Sequence, residues 1–394
     1  MNPLENLSTE RISELITEMV KIEAVSGGEQ PMSNWVADFL TQLGADELHR
    51  LPVEESGESI VGIFNKDGTG PAMLLNFHLD TFPVFAGWET PPFETVLNGN
   101  RLYGLGTHDM KGGAACLLAA VEALVNAQGS LNDKLKGKLV IAATSDEENW
   151  SRGAHALVAS GLIEDCGYCL IPEPSSPKTL TVGARGRHVY RLLFHGRTVH
   201  SAYGGGINAV VDAAKVAVEL ESMPQSEFGF DAEFNLAGTQ CVIGLEGGST
   251  MVLMPEKAEL FVDRFLLPGQ TQEWAAVQIR DAVDRAGIEG SYELFVDERP
   301  TPAPTAYVVP PDSKFVSTVR HILAEETGVA VEDIRLDLAR SVADTNHIAV
   351  YGNVPTMICG PLGGNTCETN EYVLVDSLLP TARAYLRSVL ALIG

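Results

Sequence analysis

The 394-residue sequence predicts an α/β protein in which a smaller α+β domain is inserted into a domain with a mainly parallel sheet. Three observations support this prediction. Apolar stretches of strand length alternate with helical patterns in the first part of the chain, as in a parallel sheet covered by helices. Near Arg185 the pattern changes and glycine-rich loops follow, at 204–206 and 247–248. After Pro311 the helix-and-strand order of the first part returns.

Hydrophobic periodicity places the individual elements. Ser8 precedes an apolar stripe of helical spacing and is suited to cap that helix. Gly44 follows the next stripe and is suited to end it. The predicted helices are 8–22, 32–43, 110–127, 154–160, 209–222, 272–286, 313–327 and 377–393. The predicted strands are 60–64, 72–77, 139–144, 168–171, 189–194, 240–243, 258–265 and 354–359.

The domain boundaries follow from the change of pattern and from proline-rich segments. We expect residues 1–184 and 301–394 to form the parallel-sheet domain, and residues 185–300 to form the inserted domain. The prolines within 301–311 are typical of a connection rather than of a helix or a central strand. A chain of this length is also suited to two domains.

Composition excludes several classes of function. A net charge of −25 disfavours binding to nucleic acid or to anionic membranes. No uninterrupted apolar run reaches the roughly 20 residues that a membrane span needs. The first residues lack a basic segment followed by an apolar one, so no signal peptide is expected. Six cysteines in a chain of this size do not indicate a disulfide framework, and we expect a soluble, cytoplasmic protein.

Several predicted strands end in side chains that bind metals. The strand-end groups are His78-Leu79-Asp80, Asp146-Glu147-Glu148, Pro172-Glu173 and the stretch from Cys359 to Glu368. Ligands of open α/β sheets gather at the carboxyl ends of the strands, so these side chains are expected to converge. Asp109, just before a predicted helix, is placed to join them. Imidazole and carboxylate groups together predict a divalent-metal site with open positions for water.

The three adjacent acids 146–148 have two interpretations. They form either a solvated loop after a strand or part of the metal site, where a cation offsets their repulsion. In the second case the two glutamates can divide the work. One binds the metal, while the other takes a proton from metal-activated water and passes it to a leaving amine.

Five sequence blocks resemble, in order, those of the M20 metallopeptidase family. The blocks are FHLDTFPV, YGLGTHDMKGG, TSDEEN, PEP and GPLGGNTCETNEYV. The resemblance implies hydrolysis of an amide bond next to a carboxylate in a small substrate. It also implies a divalent-metal centre of one or two ions, with zinc expected and cobalt or manganese as alternatives.

The resemblance also implies a role for each residue of the site. Glu147 would be the general base. Asp80 would orient His78, and His108 would not be a ligand. The implied ligands are His78 and Glu173 on the first metal, Glu148 on the second, and Asp109 between the two.

By the same resemblance, the inserted domain is a lid and dimerisation domain, and a homodimer is expected. His200 would reach the active site of a partner subunit and stabilise the oxyanion, unless it is structural. Asn208 belongs to the same block and would contact substrate. Arg264 would hold the substrate carboxylate, with pairing to Asp263 as the alternative.

This chain departs from the family at two positions. Cys367 stands where a histidine would complete the second metal site. The thiolate could replace it, Glu368 could serve instead, or the enzyme could use one metal. Val252 stands where an asparagine would contact substrate, which favours a less polar substrate or one that is held differently.

Two alternatives to a metal-dependent amide hydrolase remain open. One is a single-metal relative that acts on an unusual C–N bond, such as that of an aromatic amine. The other is a binding protein that has lost catalysis, although such a protein would have no chemical need for both Asp80 and Glu147.

Overall fold

The computed structural model describes residues 3–127, 131–248 and 251–394. Within these residues the chain forms two compact units. The large unit comprises Met1–Gly183, Val308–Ala339 and Ala343–Gly394, and the inserted unit comprises Ala184–Tyr307 and Arg340–Val342. The predicted insertion, 185–300, lies inside the second unit, which also includes a short return segment that the sequence did not indicate.

Helices and strands alternate through the large unit, and strands dominate the inserted unit. The helices are α1 Thr9–Val20, α2 Gln30–Gln42, α3 Gly112–Val125, α4 Arg152–Ala159, α5 Ala209–Glu221, α6 Gln272–Ala286, α7 Lys314–Thr327, α8 Asp344–Asn346 and α9 Val375–Ile393. The strands are β1 Glu47–Pro52, β2 Glu58–Phe64, β3 Gly70–His78, β4 Val96–Asn98, β5 Arg101–Tyr103, β6 Gly137–Thr144, β7 Cys166–Ile171, β8 Thr179–Ala184, β9 Gly186–His195, β10 Phe230–Asp231, β11 Leu236–Ala237, β12 Thr239–Gly247, β13 Lys257–Leu266, β14 Ser291–Val296, β15 Tyr307–Val308, β16 Arg335–Ala339, β17 Thr356–Ile358, β18 Gly363–Gly364 and β19 Tyr372–Leu374.

Every predicted helix is present, with small differences at the ends. Ser8 caps α1 by accepting a hydrogen bond from the main-chain N–H of Arg11 at 3.1 Å. Helix α3 begins two residues later than predicted because Thr107–Lys111 forms a wider turn, in which Asp109 has non-helical backbone angles. Strand β1 was not predicted, since its alternating exposure belongs to a polar strand that pairs only with β2.

The sheet of the large unit is mixed. The strand order runs β1-β2-β6-β3-β7-β17-β8. The pairs β6–β3, β3–β7 and β7–β17 are parallel, whereas β1–β2, β2–β6 and β17–β8 are antiparallel. The α/β class is therefore confirmed, and the parallel part is the centre of the sheet. The carboxyl ends of the central strands meet at one edge, where His78 lies in register with Thr144.

Helix α3 is buried on nearly all sides. It packs against α1 and α9 and also contacts β3. A helix covered in this way needs apolar residues all round, which explains the uniformly apolar and small composition of Gly112–Val125. Its exception, Glu122, reaches the helix surface and pairs with Arg11 at 2.9 Å.

The inserted unit contains an antiparallel sheet in the order β12-β13-β9-β14. Helices α5 and α6 cover one face of this sheet. Alternate residues of β9 and β13 are therefore buried, which is the period-two pattern of a sheet with one covered face. Across the described residues, no helix is both long and apolar enough to span a bilayer.

Candidate metal centre

The strand ends of the large unit bring the predicted ligands together in three overlapping groups. Within each group every residue offers one ligand atom, and these atoms all lie within 4.8 Å of one another. The groups are His78, Asp109 and Glu173; His78, Glu147 and Glu148; and Asp109, Glu148 and Cys367. His78, Asp109 and Glu148 each belong to two groups, and Asp109 is the residue shared by the group of Glu173 and the group of Cys367.

The imidazole of His78 is buried and held from both sides. Its Nδ1 lies 2.9 Å from the main-chain oxygen of Asp80, and its Nε2 lies 3.1 Å from Oδ1 of Asp109. Donation from Nδ1 to that carbonyl leaves Nε2 as the nitrogen that can bind a metal. Burial lowers the pKa of His78, but the hydrogen bond to Asp109 and the charge of Glu173 raise it well above its ordinary value.

The Asp80 side chain holds the backbone of Glu147 and Glu148. Its Oδ1 accepts the N–H of Glu147, and its Oδ2 accepts the N–H of Glu148, both at 3.1 Å. Ser26 donates to Oδ2 at 2.8 Å. Oδ1 is 3.7 Å from Nδ1 of His78, so the orienting contact predicted for Asp80 comes from its main-chain oxygen instead.

Asp146 differs from Glu147 and Glu148 in its backbone conformation and in the partner of its carboxylate. It adopts a left-handed backbone conformation, with φ of 64°. Its carboxylate is held by Arg152, whose Nε and Nη2 donate at 2.7 and 3.1 Å. A bidentate pair of this kind fixes geometry as well as charge. The crowding of three acids in the sequence therefore reduces to two glutamates at the site.

The remaining carboxylates carry the electrostatic signature of a cation site. Burial and the charge of Asp109 raise the pKa of Glu148 to about 10 and that of Glu173 to about 8. Burial and Glu173 raise the pKa of Glu147 well above its ordinary value. Oε1 of Glu148 and Oε1 of Glu173 are buried and have no hydrogen-bond partner in the described part of the chain. Unpartnered buried oxygens beside an imidazole fit a divalent cation, which would offset the repulsion.

Cys367 lies in the group that contains Asp109 and Glu148, and Glu368 does not. The Cys367 thiol is 3.3 Å from Oδ2 of Asp109. The backbone of Cys367 is left-handed, with φ of 58°. Burial, together with the charge of Asp109, raises the pKa of this thiol. Glu368 is exposed and belongs to none of the three groups found among the described residues.

The sequence did not single out two buried carboxylates near the site. Asp344, at the start of α8, accepts a hydrogen bond from Oγ1 of Thr144 at 2.6 Å and so anchors the end of β6. Burial raises the pKa of Asp344 to about 6. Glu371 contacts the loop that carries Asp109. Glu371 could have been found from the sequence, because it lies inside the block NTCETNEYV that resembles the family. No sequence pattern pointed to Asp344.

Two predicted residues of the inserted unit have local contacts of their own. His200 is exposed, and its Nδ1 accepts the N–H of Ala202 at 3.2 Å. Asn208 caps α5, because its Oδ1 accepts the N–H groups of Val210 and Val211. The substrate contact predicted for Asn208 would compete with this cap.

Arg264 lies on the covered face of the inserted sheet and has no exposed surface. Gln240 and Gln278 accept hydrogen bonds from its guanidinium at 2.8 and 2.7 Å. Asp263 points the other way and pairs with Arg187 at 2.9 Å, so the alternative pairing with Arg264 is absent. The alternation of side chains along β13 directs Arg264 into the core, where a substrate carboxylate does not reach it in this conformation.

The chain is similar to known proteins over most of its length. The family described as Peptidase family M20/M25/M40 matches residues 74–391. A succinyl-diaminopimelate desuccinylase of Methylorubrum extorquens is 27% identical over 379 residues, which cover 92% of this chain and 94% of the relative. A second desuccinylase, from Methylorubrum populi, is 26% identical over 371 residues and covers 91% of this chain and 92% of its own length.

Solved structures share the fold. The aminopeptidase PepT from Bacillus cereus superimposes with a TM-score of 0.79 at 19% identity, over 98% of this chain and 99% of its own. The YXEP protein of Bacillus subtilis, described as a dinuclear metal-binding peptidase, superimposes with a TM-score of 0.70 at 13% identity, over 98% of each chain. Because the family matches residues 74–391, this chain belongs to peptidase family M20/M25/M40, and it is a hydrolase of the metallopeptidase and deacylase type that acts on amide C–N bonds.

Proposed function

We propose that this protein hydrolyses the C–N bond of a small carboxylate-bearing substrate, such as an N-acyl amino acid or a short peptide. The observation that supports this most is the position of Glu147. Glu147 belongs to the group that also contains His78 and Glu148. We assign the cations to the two groups that share Asp109, and this assignment leaves Glu147 beside them without a ligand role. A carboxylate next to a metal centre but outside its ligand set is suited to be the general base.

We propose that the first cation is held by His78, Asp109 and Glu173, and the second by Asp109, Glu148 and Cys367. Zinc is the proposed metal, because imidazole, thiolate and carboxylate are the ligands it accepts in proteins. When bound, such a metal lowers the pKa of water to about 7 and polarises the substrate carbonyl. Direct ligation by Cys367 is favoured over Glu368 because only the cysteine joins a ligand group.

The remaining chemistry belongs to the side chains. Glu147 takes a proton from the attacking water as the new C–O bond forms at the acyl carbon. It then gives that proton to the amide nitrogen as the C–N bond breaks, so the products are a carboxylate and an amine. The Asp80 contact to the Glu147 N–H keeps the base in place through both steps. His200 is proposed to stabilise the oxyanion in the active site of a partner subunit.

The substrate is proposed to be less polar near the inserted unit than in relatives with an asparagine at this position. Val252 is 60% exposed there and cannot donate or accept a hydrogen bond through its side chain. The named activity of the desuccinylase relatives, removal of a succinyl group from diaminopimelate, fits a substrate that carries carboxylates. We therefore place N-acyl and N-succinyl amino acids first among candidate substrates.

A matched substrate panel tests this proposal. The purified protein, supplied with Zn²⁺, Co²⁺ or Mn²⁺, is assayed on N-acetyl and N-succinyl amino acids, dipeptides and an N-aryl amide. Each is paired with a methyl ester that removes the carboxylate. We expect kcat/KM for the free acids to exceed that for the esters by about 100-fold, because an ester cannot replace the charged hydrogen-bond acceptor of a carboxylate. Preference for the N-aryl amide would replace the proposed substrate class, and inactivity throughout would favour a binding protein.

We also propose a homodimer formed through the inserted unit. Strand β12 is at one end of the sheet order, so its outer backbone groups have no strand partner within the described chain. Ile243 and Leu245 on β12 are 51% and 41% exposed. Val218 on the adjacent α5 is 71% exposed. An apolar surface beside an unpaired strand edge fits a second copy of the same surface.

Mutation of this surface is expected to produce monomers. Ile243→Lys places a charge on the strand edge, and Val218→Asp places one on the helix beside it, so both should weaken self-association. Val277→Asp on α6 is the control, because Val277 is 45% exposed but lies outside the surface. Sedimentation velocity should give twice the 42.2 kDa chain mass for the wild type and the control. A monomeric wild-type protein at micromolar concentration would contradict the proposal.

A further inference from the structure

The buried side chain of Glu371 accepts three main-chain hydrogen bonds from one loop. Its Oε2 accepts the N–H of Gly106 at 2.7 Å. Its Oε1 accepts the N–H groups of His108 and Asp109 at 2.9 and 2.7 Å. Glu371 is only 2% exposed, so these N–H groups replace the water that would otherwise solvate its charge. One carboxylate thus organises a loop more than 260 positions away in the sequence.

The loop cannot satisfy these N–H groups by itself. Asp109 has φ of −117° and ψ of 93°, so the turn is not a regular helix. The N–H groups of Thr107 and Lys111 donate to preceding carbonyls, whereas those of Gly106, His108 and Asp109 donate to Glu371. Gly106 has a left-handed φ of 75°, and a Cβ at that position would lie 2.6 Å from Cγ2 of Thr81. Without Glu371 the loop would bury N–H donors that have lost their acceptor, which is unfavourable.

The segment that carries Glu371 also carries a candidate ligand. Cys367 lies four residues earlier and contacts Asp109 through its thiol. The main-chain oxygen of Glu371 accepts the N–H of Gly104, and Tyr372 pairs with Tyr103 in the β19–β5 ladder. The segment is therefore fixed both to the residues that precede the Asp109 turn and to Asp109 itself. This places Asp109 and Cys367 relative to each other.

We propose that Glu371 is a positioning residue that sets the Asp109 carboxylate between the two ligand groups. The inference rests on the proposed function, in which Asp109 serves both groups. Glu371 itself touches neither substrate nor metal. Its effect is to hold the N–H of the bridging residue, and with it the direction of the side chain. Loss of this contact should weaken the metal centre before it affects the rest of the fold, because supporting contacts of ligands typically contribute about 10–100-fold in metal affinity or activity.

Glu371→Gln is the informative substitution. Glutamine keeps the size and one acceptor oxygen, but its amide N–H₂ would face a backbone N–H. We expect bound metal, measured by elemental analysis after dialysis, to fall from about two equivalents per chain to about one or fewer. We expect kcat to fall by about 10–100-fold with KM within threefold. The thermal midpoint of the metal-free protein should fall as well, so metal content and kcat are compared at a temperature where the variant is folded.

Asp376→Asn is the matched control. It removes the same charge from an exposed residue five positions away, and it should leave metal content and kcat unchanged. If Glu371→Gln does not fold, Glu371→Asp keeps the charge but shortens the reach, and it is expected to fold with reduced metal content. Wild-type metal content and kcat in whichever variant folds would overturn the positioning role. Because metal content is measured without substrate, it decides this inference even if the proposed hydrolysis fails its own test.

Discussion

Replacing Glu147 by glutamine is expected to lower kcat by about 10³-fold or more while the protein keeps its metal. Glutamine has the shape of glutamate but cannot accept the proton of the attacking water. The main-chain contact from Asp80 to residue 147 does not depend on the side chain, so the loop should keep its conformation. The measurement is kcat and kcat/KM on the best substrate of the panel, together with metal content per chain.

Glu148→Gln provides the contrast for this experiment. Glu148 shares a ligand group with Asp109 and Cys367, so its loss should reduce metal content as well as activity. The metal content of the two variants, rather than their activity, then distinguishes the role of Glu147 from that of Glu148. Near-normal turnover in Glu147→Gln would remove Glu147 from the mechanism and leave the base unassigned.

Removing the metal is expected to abolish hydrolysis and to lower the thermal midpoint. Glu147, Glu148 and Glu173 crowd together at the strand ends, and a chelator would leave their repulsion uncompensated. A ligand present at 100 times its Kd stabilises the folded state by about 2.7 kcal/mol, so the shift should be readily measured. Calorimetry before and after chelation, followed by titration with Zn²⁺, gives both the shift and its reversal. An unchanged midpoint and unchanged activity after complete metal removal would contradict a metal centre at this site.

The number of metals tests the role of Cys367 in the same preparation. We expect about two equivalents per wild-type chain and about one in Cys367→Ser, because the hydroxyl is a weak ligand compared with a thiolate. Cys367→His should keep two, since imidazole can occupy the same corner. A wild-type chain with one equivalent, unchanged in Cys367→Ser, would favour the single-metal alternative.

Much of the candidate site was predictable because of one rule of sheet geometry. His78, Glu148 and Glu173 each follow an apolar strand, and parallel neighbours place such residues at one edge. In the structure, each of them offers a possible ligand atom within 4.8 Å of one on Asp109. The helices were equally predictable, because a 3.6-residue period covers a whole element and survives small errors at its ends.

Other features could not be predicted from local pattern. The direction of Arg264 depends on which face of β13 the helices α5 and α6 cover, which a short strand pattern does not state. The three N–H groups at Glu371 and the contact of Asp344 with Thr144 join segments hundreds of positions apart. Asp80 contacts His78 through its main-chain oxygen and the backbone of Glu147 and Glu148 through its side chain. These separate contacts also depend on the exact path of the loop.

The sequence by itself determined the order of helices and strands, the α/β class and the set of residues with metal-binding chemistry, because periodicity and residue type are local properties. Only the tertiary structure decided which of these residues lie together. It also decided that the carboxylates of Glu371 and Asp344 hold neighbouring segments and that the guanidinium of Arg264 is buried. Those outcomes depend on the packing of distant segments, where the free energy of burying a charge selects partners that no single segment contains.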